Sequence, residues 1–202
     1  MKKLILSLAL LAAIAAPTFA QFHVGIGYSS DNKSGSILGY GDRFWFNGIY
    51  AGAGYTFNIL GPLSFTPGVY FDFLKYTDKL LSTDYGSYNL NFNEIYLKVP
   101  ATFSLGFDIS SSVRGFVFAG PKLMVGLSSM VNDGRDRENL YQIKDYSRVN
   151  VLLGGGVGID ICDKLRISVG YDGGLINRYK GKAQEKIKIS DSGLHAGIAY
   201  LF

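Results

Sequence analysis

The sequence predicts an all-β fold, an eight-stranded antiparallel up-and-down transmembrane β-barrel, on three observations. Apolar side chains recur at every second position in eight separate segments, which gives each segment one apolar face. Short and long connections alternate between these segments. The last segment ends on Phe202 and continues its apolar face back through Tyr200 and Ile198. Such an ending is typical of the closing strand of a barrel in a membrane.

The eight predicted strands have about the nine to eleven residues that a tilted strand needs to cross hydrocarbon. Glycines often stand on the face opposite the apolar one, as Gly25 and Gly27 do beside Ile26. An eight-stranded barrel is only just wide enough for side chains, so these glycines leave room for large inward neighbours. The predicted strands are residues 22–29, 45–57, 63–73, 94–107, 113–125, 149–160, 165–172 and 192–202.

The connections divide into two kinds that strictly alternate along the chain. The short ones, rich in turn-forming residues, are 58–62, 108–112 and 161–164. The long ones are 30–44, 74–93, 128–148 and 176–191. Alternation of this kind places all short turns at one end of a barrel and all long loops at the other. We therefore expect periplasmic turns, extracellular loops and two periplasmic termini in the outer membrane.

The first 20 residues have the organisation of a signal peptide. Lys2 and Lys3 form a positive start, residues 4–16 are apolar but too few to span a bilayer, and 17–20 form a small-residue cleavage site. We expect a signal peptide at 1–20 and an outer-membrane β-barrel domain at 21–202. Loss of the two lysines leaves 18 basic and 16 acidic side chains, so the formal net charge falls from +4 to +2. Nothing then argues for nucleic acid as a partner.

The composition fits one all-β domain, with 26 Gly, 14 Tyr and 14 Phe. Cys162 is the single cysteine, so no internal disulfide is expected. A soluble ligand-binding barrel would share the strand alternation, but it would not require aromatic residues at both ends of the apolar faces. Two such girdles are predicted: Tyr28, Trp45, Phe71 and Phe73 above, and Phe22, Phe57, Phe65, Phe107 and Phe202 below.

Eight charged side chains fall on the inward faces of the strands, four of each sign. We interpret them as a salt-bridge network that fills a narrow lumen, because unpaired charge there would be costly. The alternative is an ion path or a pair of catalytic carboxylates. Large inward side chains such as Tyr50, Tyr70 and Phe118 also predict a plugged lumen. The network comprises Asp72, Glu94, Lys98, Arg114, Lys122, Asp160, Arg166 and Asp172.

No catalytic, cofactor or metal site is expected. His23 and His195 both face inward, but antiparallel pairing sets His23 beside Leu201 and His195 beside Ser29, which separates the imidazoles by about 20 Å. The glycine-rich run at 154–158 lacks the helix and the Lys-Ser/Thr pair of a phosphate-binding loop, so it is interpreted as lumen packing.

The last long connection is rich in basic residues, and this charge predicts a loop that binds at the cell surface. Its cations could contact lipopolysaccharide phosphates or an acidic partner, or serve only solubility. They are Arg178, Lys180, Lys182, Lys186 and Lys188. The charged segment at 132–138 lacks the spacing of a calcium loop and is interpreted as solvated.

Two segments carry a resemblance to a known family. EIYLKVP at 94–100 and GFVFAGP at 115–121 resemble the Leu-x-Val/Ile-Pro and Gly-Pro signatures of the PorT-like family of outer-membrane β-barrel proteins, which is commonly labelled porin. The resemblance implies an outer-membrane location and a barrel fold more firmly than it implies transport.

We therefore expect a small, plugged, monomeric outer-membrane barrel that acts as an envelope structural or interaction protein through its extracellular loops. A porin-like channel for small solutes and an enzyme acting on envelope lipid or peptide are the alternatives. The expected partners are outer-membrane lipid, with lipopolysaccharide as a further candidate, and the barrel-assembly machinery. That machinery would read Ile198, Tyr200 and Phe202 as a C-terminal assembly signal.

Overall fold

The structure, a computed structural model, describes residues 20–37, 40–79, 89–132, 137–142, 146–181 and 189–202. The predicted signal peptide therefore lies outside the described residues, apart from its last position. No helix in the described part is long and apolar enough to cross a membrane. The strands are β1 (Ala20–Ile37), β2 (Tyr40–Leu60), β3 (Leu63–Lys79), β4 (Asn89–Ser110), β5 (Val113–Asn132), β6 (Arg137–Asn139), β7 (Val149–Ile161), β8 (Leu165–Gly174) and β9 (Ser190–Leu201), with one 3-10 turn at Leu140–Gln142.

Eight long antiparallel strands close into a ring, which confirms the predicted fold class. Neighbours along the chain pair with each other, β4 pairs with β5, β5 with β7, and β1 closes the ring against β9. The short strand β6 only adds to the upper end of β5. At the seam His23 lies opposite Leu201 and Ser29 opposite His195, as the sequence predicted.

The wall has its apolar face outside and its polar face inside. Phe71, Val157 and Ile198 are about half exposed on the outer face, whereas Glu94, Lys98 and similar polar residues are buried. This distribution matches strands that present their apolar side to lipid. The predicted girdle residues that are exposed are Phe22, Tyr28, Trp45, Phe71, Phe73, Phe107 and Phe202. Phe57 and Phe65 are half-buried.

All three short connections are tight turns, as predicted. Gly61 adopts a φ of 54°, which glycine reaches without a steric penalty. Cys162 and Asp163 have φ values of 52° and 54°, and the Lys164 N–H donates to the Ile161 carbonyl at 3.1 Å. Positive φ at both central residues is the geometry of a type I′ turn, which matches the twist of the strands that it joins.

The predicted bounds of the first three long connections were wrong. β1 and β2 continue to Ile37 and Tyr40, and β3 and β4 continue to Lys79 and Asn89, so most of 30–44 and 74–93 is strand. β5 continues to Asn132 and β6 follows at Arg137–Asn139, both inside the predicted connection 128–148. The apolar alternation stops earlier because outward residues above the lipid can be polar, whereas backbone pairing continues. β8 ends at Gly174, so the wall is taller along β1–β5.

An apolar cluster fills the inside of this taller wall. Phe46 lies 5.4 Å from Tyr76 and 6.0 Å from Phe92, measured between ring centroids. Its buried members are Phe46, Leu74, Phe92, Tyr96, Met124 and Leu152, with Phe44, Tyr76 and Val131 packed against them. Side chains of the wall itself thus occupy the upper lumen.

Close packing inside the barrel predicts that Gly27 tolerates no side chain. A Cβ there would meet the Ala196 carbonyl oxygen and the Tyr50 ring at less than contact distance. We expect Gly27→Ala to lower the free energy of unfolding by about 1–3 kcal/mol, as overpacking does. Urea unfolding of the folded barrel measures the loss. Gly173→Ala is the matched control, because the nearest atom to its Cβ would be 3.9 Å away; equal losses in both variants would contradict the explanation.

Candidate functional site

The centre of the lumen is crossed by an ion-pair cluster around Lys98. Its ammonium lies 2.6 Å from Asp72 Oδ2 and 3.1 Å from Asp31 Oδ2. The Ser29 hydroxyl donates to Asp72 Oδ2 at 3.0 Å. Because Lys98 is on β4 and Asp31 is on β1, the cluster joins strands that are not neighbours in the ring.

A second cluster lies above it around Glu94. Lys33 donates to Glu94 Oε2 and, at 2.7 Å, to the Tyr96 hydroxyl. That hydroxyl donates to Glu94 Oε2 at 2.6 Å, and the Ser129 hydroxyl donates to Oε1 at 2.8 Å. The Lys33 ammonium also lies 4.4 Å from the centroid of the Phe46 ring. Both carboxylate oxygens are therefore satisfied, as a buried charge requires.

Two further ion pairs lie on the other side of the lumen. Lys122 on β5 donates to Asp172 on β8 at 2.5 Å. Arg166 holds Asp160 with two hydrogen bonds of 2.7 and 2.8 Å, and such bidentate pairs are the strongest of their kind. The guanidinium of Arg166 lies 4.7 Å from the Phe116 ring centroid.

The structure brings seven of the eight predicted lumen charges into ion pairs. Arg114 is the exception: it lies opposite Asp108 and Asp160 in the register, but it forms no ion pair within the described residues. Asp31 and Lys33 were missed because residues 30–44 were interpreted as a loop. Their parity continues that of the inward Ser29, so extending the alternation would have found them.

The prediction that Arg178 belongs to a surface-binding loop was wrong. Its side chain is 0% exposed and lies inside the mouth of the barrel. Nε and one terminal nitrogen both donate to the Ser147 carbonyl, at 3.2 and 3.1 Å. The other terminal nitrogen donates to the Tyr96 hydroxyl at 3.1 Å and to Asp191 Oδ2 at 3.2 Å. This cation is therefore a structural crosslink and cannot bind a surface partner.

Backbone contacts between two connections position Arg178. The Ser147 N–H donates to the Arg178 carbonyl at 2.8 Å, and the Arg178 N–H donates to the Ile189 carbonyl at 3.1 Å. Tyr146 and Tyr179 form an isolated antiparallel bridge beside them. The two connections thus meet inside the mouth, where the guanidinium joins both of them to β4 and β9.

Two phenols complete the environment of this guanidinium. Its Nη2 donates to the Tyr141 hydroxyl at 3.1 Å, and its Cζ lies 4.7 Å from the Tyr146 ring centroid. Burial raises the pKa of both phenols, although Arg178 opposes the shift. Both phenols are neutral at physiological pH, and the ring face of Tyr146 attracts the guanidinium through its quadrupole.

The remaining predicted loop cations are only partly described. Lys180 is exposed. Lys182, Lys186 and Lys188 lie outside the described residues, as do positions 133–136 of the charged segment. The assembly-signal residues Tyr200 and Ile198 face outward and are about half exposed, and Phe202 stacks on Phe22 at 5.6 Å.

A cavity of about 130 Å³ lies between the ion-pair clusters. His23 and His195 both line it, together with Tyr50 and Tyr70. The His23 Nε2 atom is 2.9 Å from the Tyr70 hydroxyl, whereas His195 Nδ1 is 3.5 Å from Asp172. This volume is large enough for several water molecules. Among the described residues there is no group of three or more side chains that could hold a metal ion.

Comparisons with known proteins agree with this architecture. A family model described as "Outer membrane protein beta-barrel domain" matches residues 18–180. Neisserial surface protein A is 18% identical, with a TM-score of 0.50 over 91% of this chain and 99% of that chain. Ail of Yersinia pestis, solved in complex with the heparin analogue sucrose octasulfate, is 13% identical, with a TM-score of 0.50 over 92% of this chain and 100% of that chain. At these identities the likeness concerns the fold alone. None of the curated proteins compared with the chain matches it.

Proposed function

The chain belongs to the family of outer membrane protein beta-barrel domains, and from this premise we propose that it is a closed barrel with a structural or interaction role in the envelope. The observation that carries the proposal is the set of ion pairs that cross the lumen. Lys98 joins β4 to β1, and Lys122 joins β5 to β8. Buried pairs of this kind resist opening, because separating them would leave uncompensated charge.

The proposed orientation puts the short turns and both termini in the periplasm and the long loops outside the cell. It is supported by the grouping of all three tight turns at one end of the barrel, as is usual for outer-membrane barrels. The loops would then present the surface through which a partner is contacted. The narrower PorT-like assignment rests on the two motifs at 94–100 and 115–121.

The proposed role is non-catalytic. A hydrolase of envelope lipid or peptide would need a nucleophile, a base and an orienting group together. The buried Ser29 hydroxyl instead donates to Asp72, which is already paired with Lys98. Asp172 is paired with Lys122. These contacts favour a lumen in which the polar groups stabilise one another by ion pairs and hydrogen bonds, so that none of them is left as a free nucleophile or base.

A porin-like channel is the second candidate, and the cavity of about 130 Å³ is the observation that favours it. The cavity is lined by phenols, imidazoles and charged groups, so it can hold water. To conduct, however, it would have to connect to both ends of the barrel. On the outer side the Arg178 and Glu94 clusters lie above it.

We expect negligible conductance when the mature protein is inserted into a planar bilayer. The barrel should also run with heat-modifiable mobility on a denaturing gel, which shows that the inserted protein is folded. Stable and reproducible channels from such folded protein would contradict the closed barrel and favour the porin candidate. A conducting barrel of known pore size, measured in the same bilayers, is the positive control for insertion.

A further inference from the structure

A row of polar side chains crosses the outer face of β1–β4 directly above the lipid-facing belt. The register sets Ser30 opposite Asn47, Asn47 opposite Lys75, and Lys75 opposite Asn93. Two residues below, on the same faces, is an apolar row made of Tyr28, Ile49, Phe73 and Ile95. At about 3.3 Å for each residue, the polar row lies roughly 7 Å above the apolar one, at the depth of lipid head groups.

Hydrogen bonds orient the middle of this row for donation. The Tyr28 hydroxyl donates to Asn47 Oδ1 at 2.6 Å, and the Ser30 hydroxyl donates to the same oxygen at 2.8 Å. These two bonds occupy the acceptor of the Asn47 amide. Its NH₂ group remains as a donor, and Lys75, the register partner of Asn47 on β3, has an ammonium with only donors. Donors without a free acceptor bind an anion in preference to a cation.

The charges of the surrounding outer wall agree with this selection. Among the residues whose side chains the structure describes, strand alternation gives the upper outer face of β1–β4 two cations, Arg43 and Lys75, and no carboxylate. Lys75 is exposed and forms no ion pair within the described part of the chain. The outward positions whose side chains are described are Ser30, Ser34, Arg43, Trp45, Asn47, Lys75, Thr77, Asn91 and Asn93; Asn32 shares their parity but is buried.

We propose that Lys75, Asn47 and Asn93 form a binding site for a phosphate group of lipid A, the membrane anchor of lipopolysaccharide. The site binds the lipid from the side, with the acyl chains against the apolar row and the phosphate against the donors. Charge-assisted hydrogen bonds to phosphate are short and strong. The choice of lipid A rests on the proposed orientation, in which the long-loop end faces the outer leaflet. The cation for lipid contact is thus on the wall, whereas the predicted Arg178 is buried.

Native mass spectrometry of the mature protein folded in detergent tests the site. The probe is bisphosphorylated lipid A, with dephosphorylated lipid A and phosphatidylglycerol as comparison lipids. We expect Lys75→Gln to weaken binding of bisphosphorylated lipid A about fivefold, which corresponds to the roughly 1 kcal/mol that one lysine contributes at an anionic surface. Lys164→Gln, which removes an exposed lysine from the opposite end, is the matched control and should leave binding unchanged. Unchanged heat-modified mobility verifies that both variants fold.

Three results would overturn the site. The first is that Lys75→Gln and Lys164→Gln bind bisphosphorylated lipid A equally well, and the second is that the unchanged protein binds dephosphorylated lipid A as well as the bisphosphorylated form. The third is that Lys75→Gln loses as much affinity for phosphatidylglycerol as for bisphosphorylated lipid A. The last result would assign the phosphate to an ordinary phospholipid. Orientation is tested separately by labelling a Lys180→Cys variant, in which the exposed Cys162 is also replaced by Ser, in intact cells with a membrane-impermeant reagent. Label at this position supports the proposed orientation, and its absence would overturn that orientation independently of the lipid experiment.

Discussion

Replacing Arg178 by methionine is expected to lower the free energy of unfolding by about 3–5 kcal/mol, the cost of removing one partner from a buried ion pair. Asp191 would keep its buried charge without the guanidinium, and the Ser147 carbonyl would lose both of its donors from that side chain. Urea unfolding followed by the fluorescence of the single tryptophan, Trp45, provides the measurement, because this residue is on the outer face.

Two further variants make the Arg178 prediction specific. Arg178→Lys retains the charge but cannot reproduce a planar group that donates in several directions, so an intermediate loss is expected. Lys180→Met changes an exposed cation two residues away and should alter stability by no more than about 0.5 kcal/mol. A loss below about 1 kcal/mol for Arg178→Met would show that the guanidinium does not hold the two connections together.

The Lys33–Glu94 pair is expected to show strong thermodynamic coupling. Lys33→Met and Glu94→Gln should each cost about 3–5 kcal/mol, since each leaves a buried partner without its counter-charge. The double variant should cost less than the sum by about 2–3 kcal/mol, because it removes both charges together. Urea unfolding of the four proteins gives the coupling energy directly.

Additive losses in this cycle would contradict a direct ion pair. Lys164→Met provides the reference for a lysine outside the lumen, because its side chain is exposed in the β7–β8 turn. The comparison separates loss of positive charge in general from loss of the buried contact. A coupled pair would mean that β1 and β4, which are not neighbours in the ring, are joined through the lumen.

Ion pairs across the lumen explain how a small barrel can have a polar interior without unpaired buried charge. Each lumen carboxylate from Asp31 to Asp191 meets a cation or a hydroxyl, and the aromatic cluster around Phe46 fills the space above. These contacts support the proposal of a closed barrel. In the proposed function, contacts with the surroundings are made by the loops and by the outer wall, where Lys75 lies.

Residue parity accounts for the parts of the site that could be predicted. Asp72, Lys98, Asp160 and Arg166 were found because each alternates with apolar neighbours inside a recognisable strand. Asp31 and Lys33 were missed because the apolar partners of that alternation end at Tyr28, where the wall leaves the lipid. Their inward position depends on continued backbone pairing with β2 and β9, which has no apolar signature.

The sequence by itself determined the number and order of the eight long strands, their apolar faces and the pairing of the last strand with the first. It could do so because lipid against one face imposes a period of two, and tight turns fix the order of neighbours. Only the tertiary structure decided which charges meet, since the tilt and stagger of the strands set contacts across the lumen. It also decided that Arg178 is buried, because that residue lies in a connection without periodicity and its position depends on contacts with Ser147, Ile189 and Asp191.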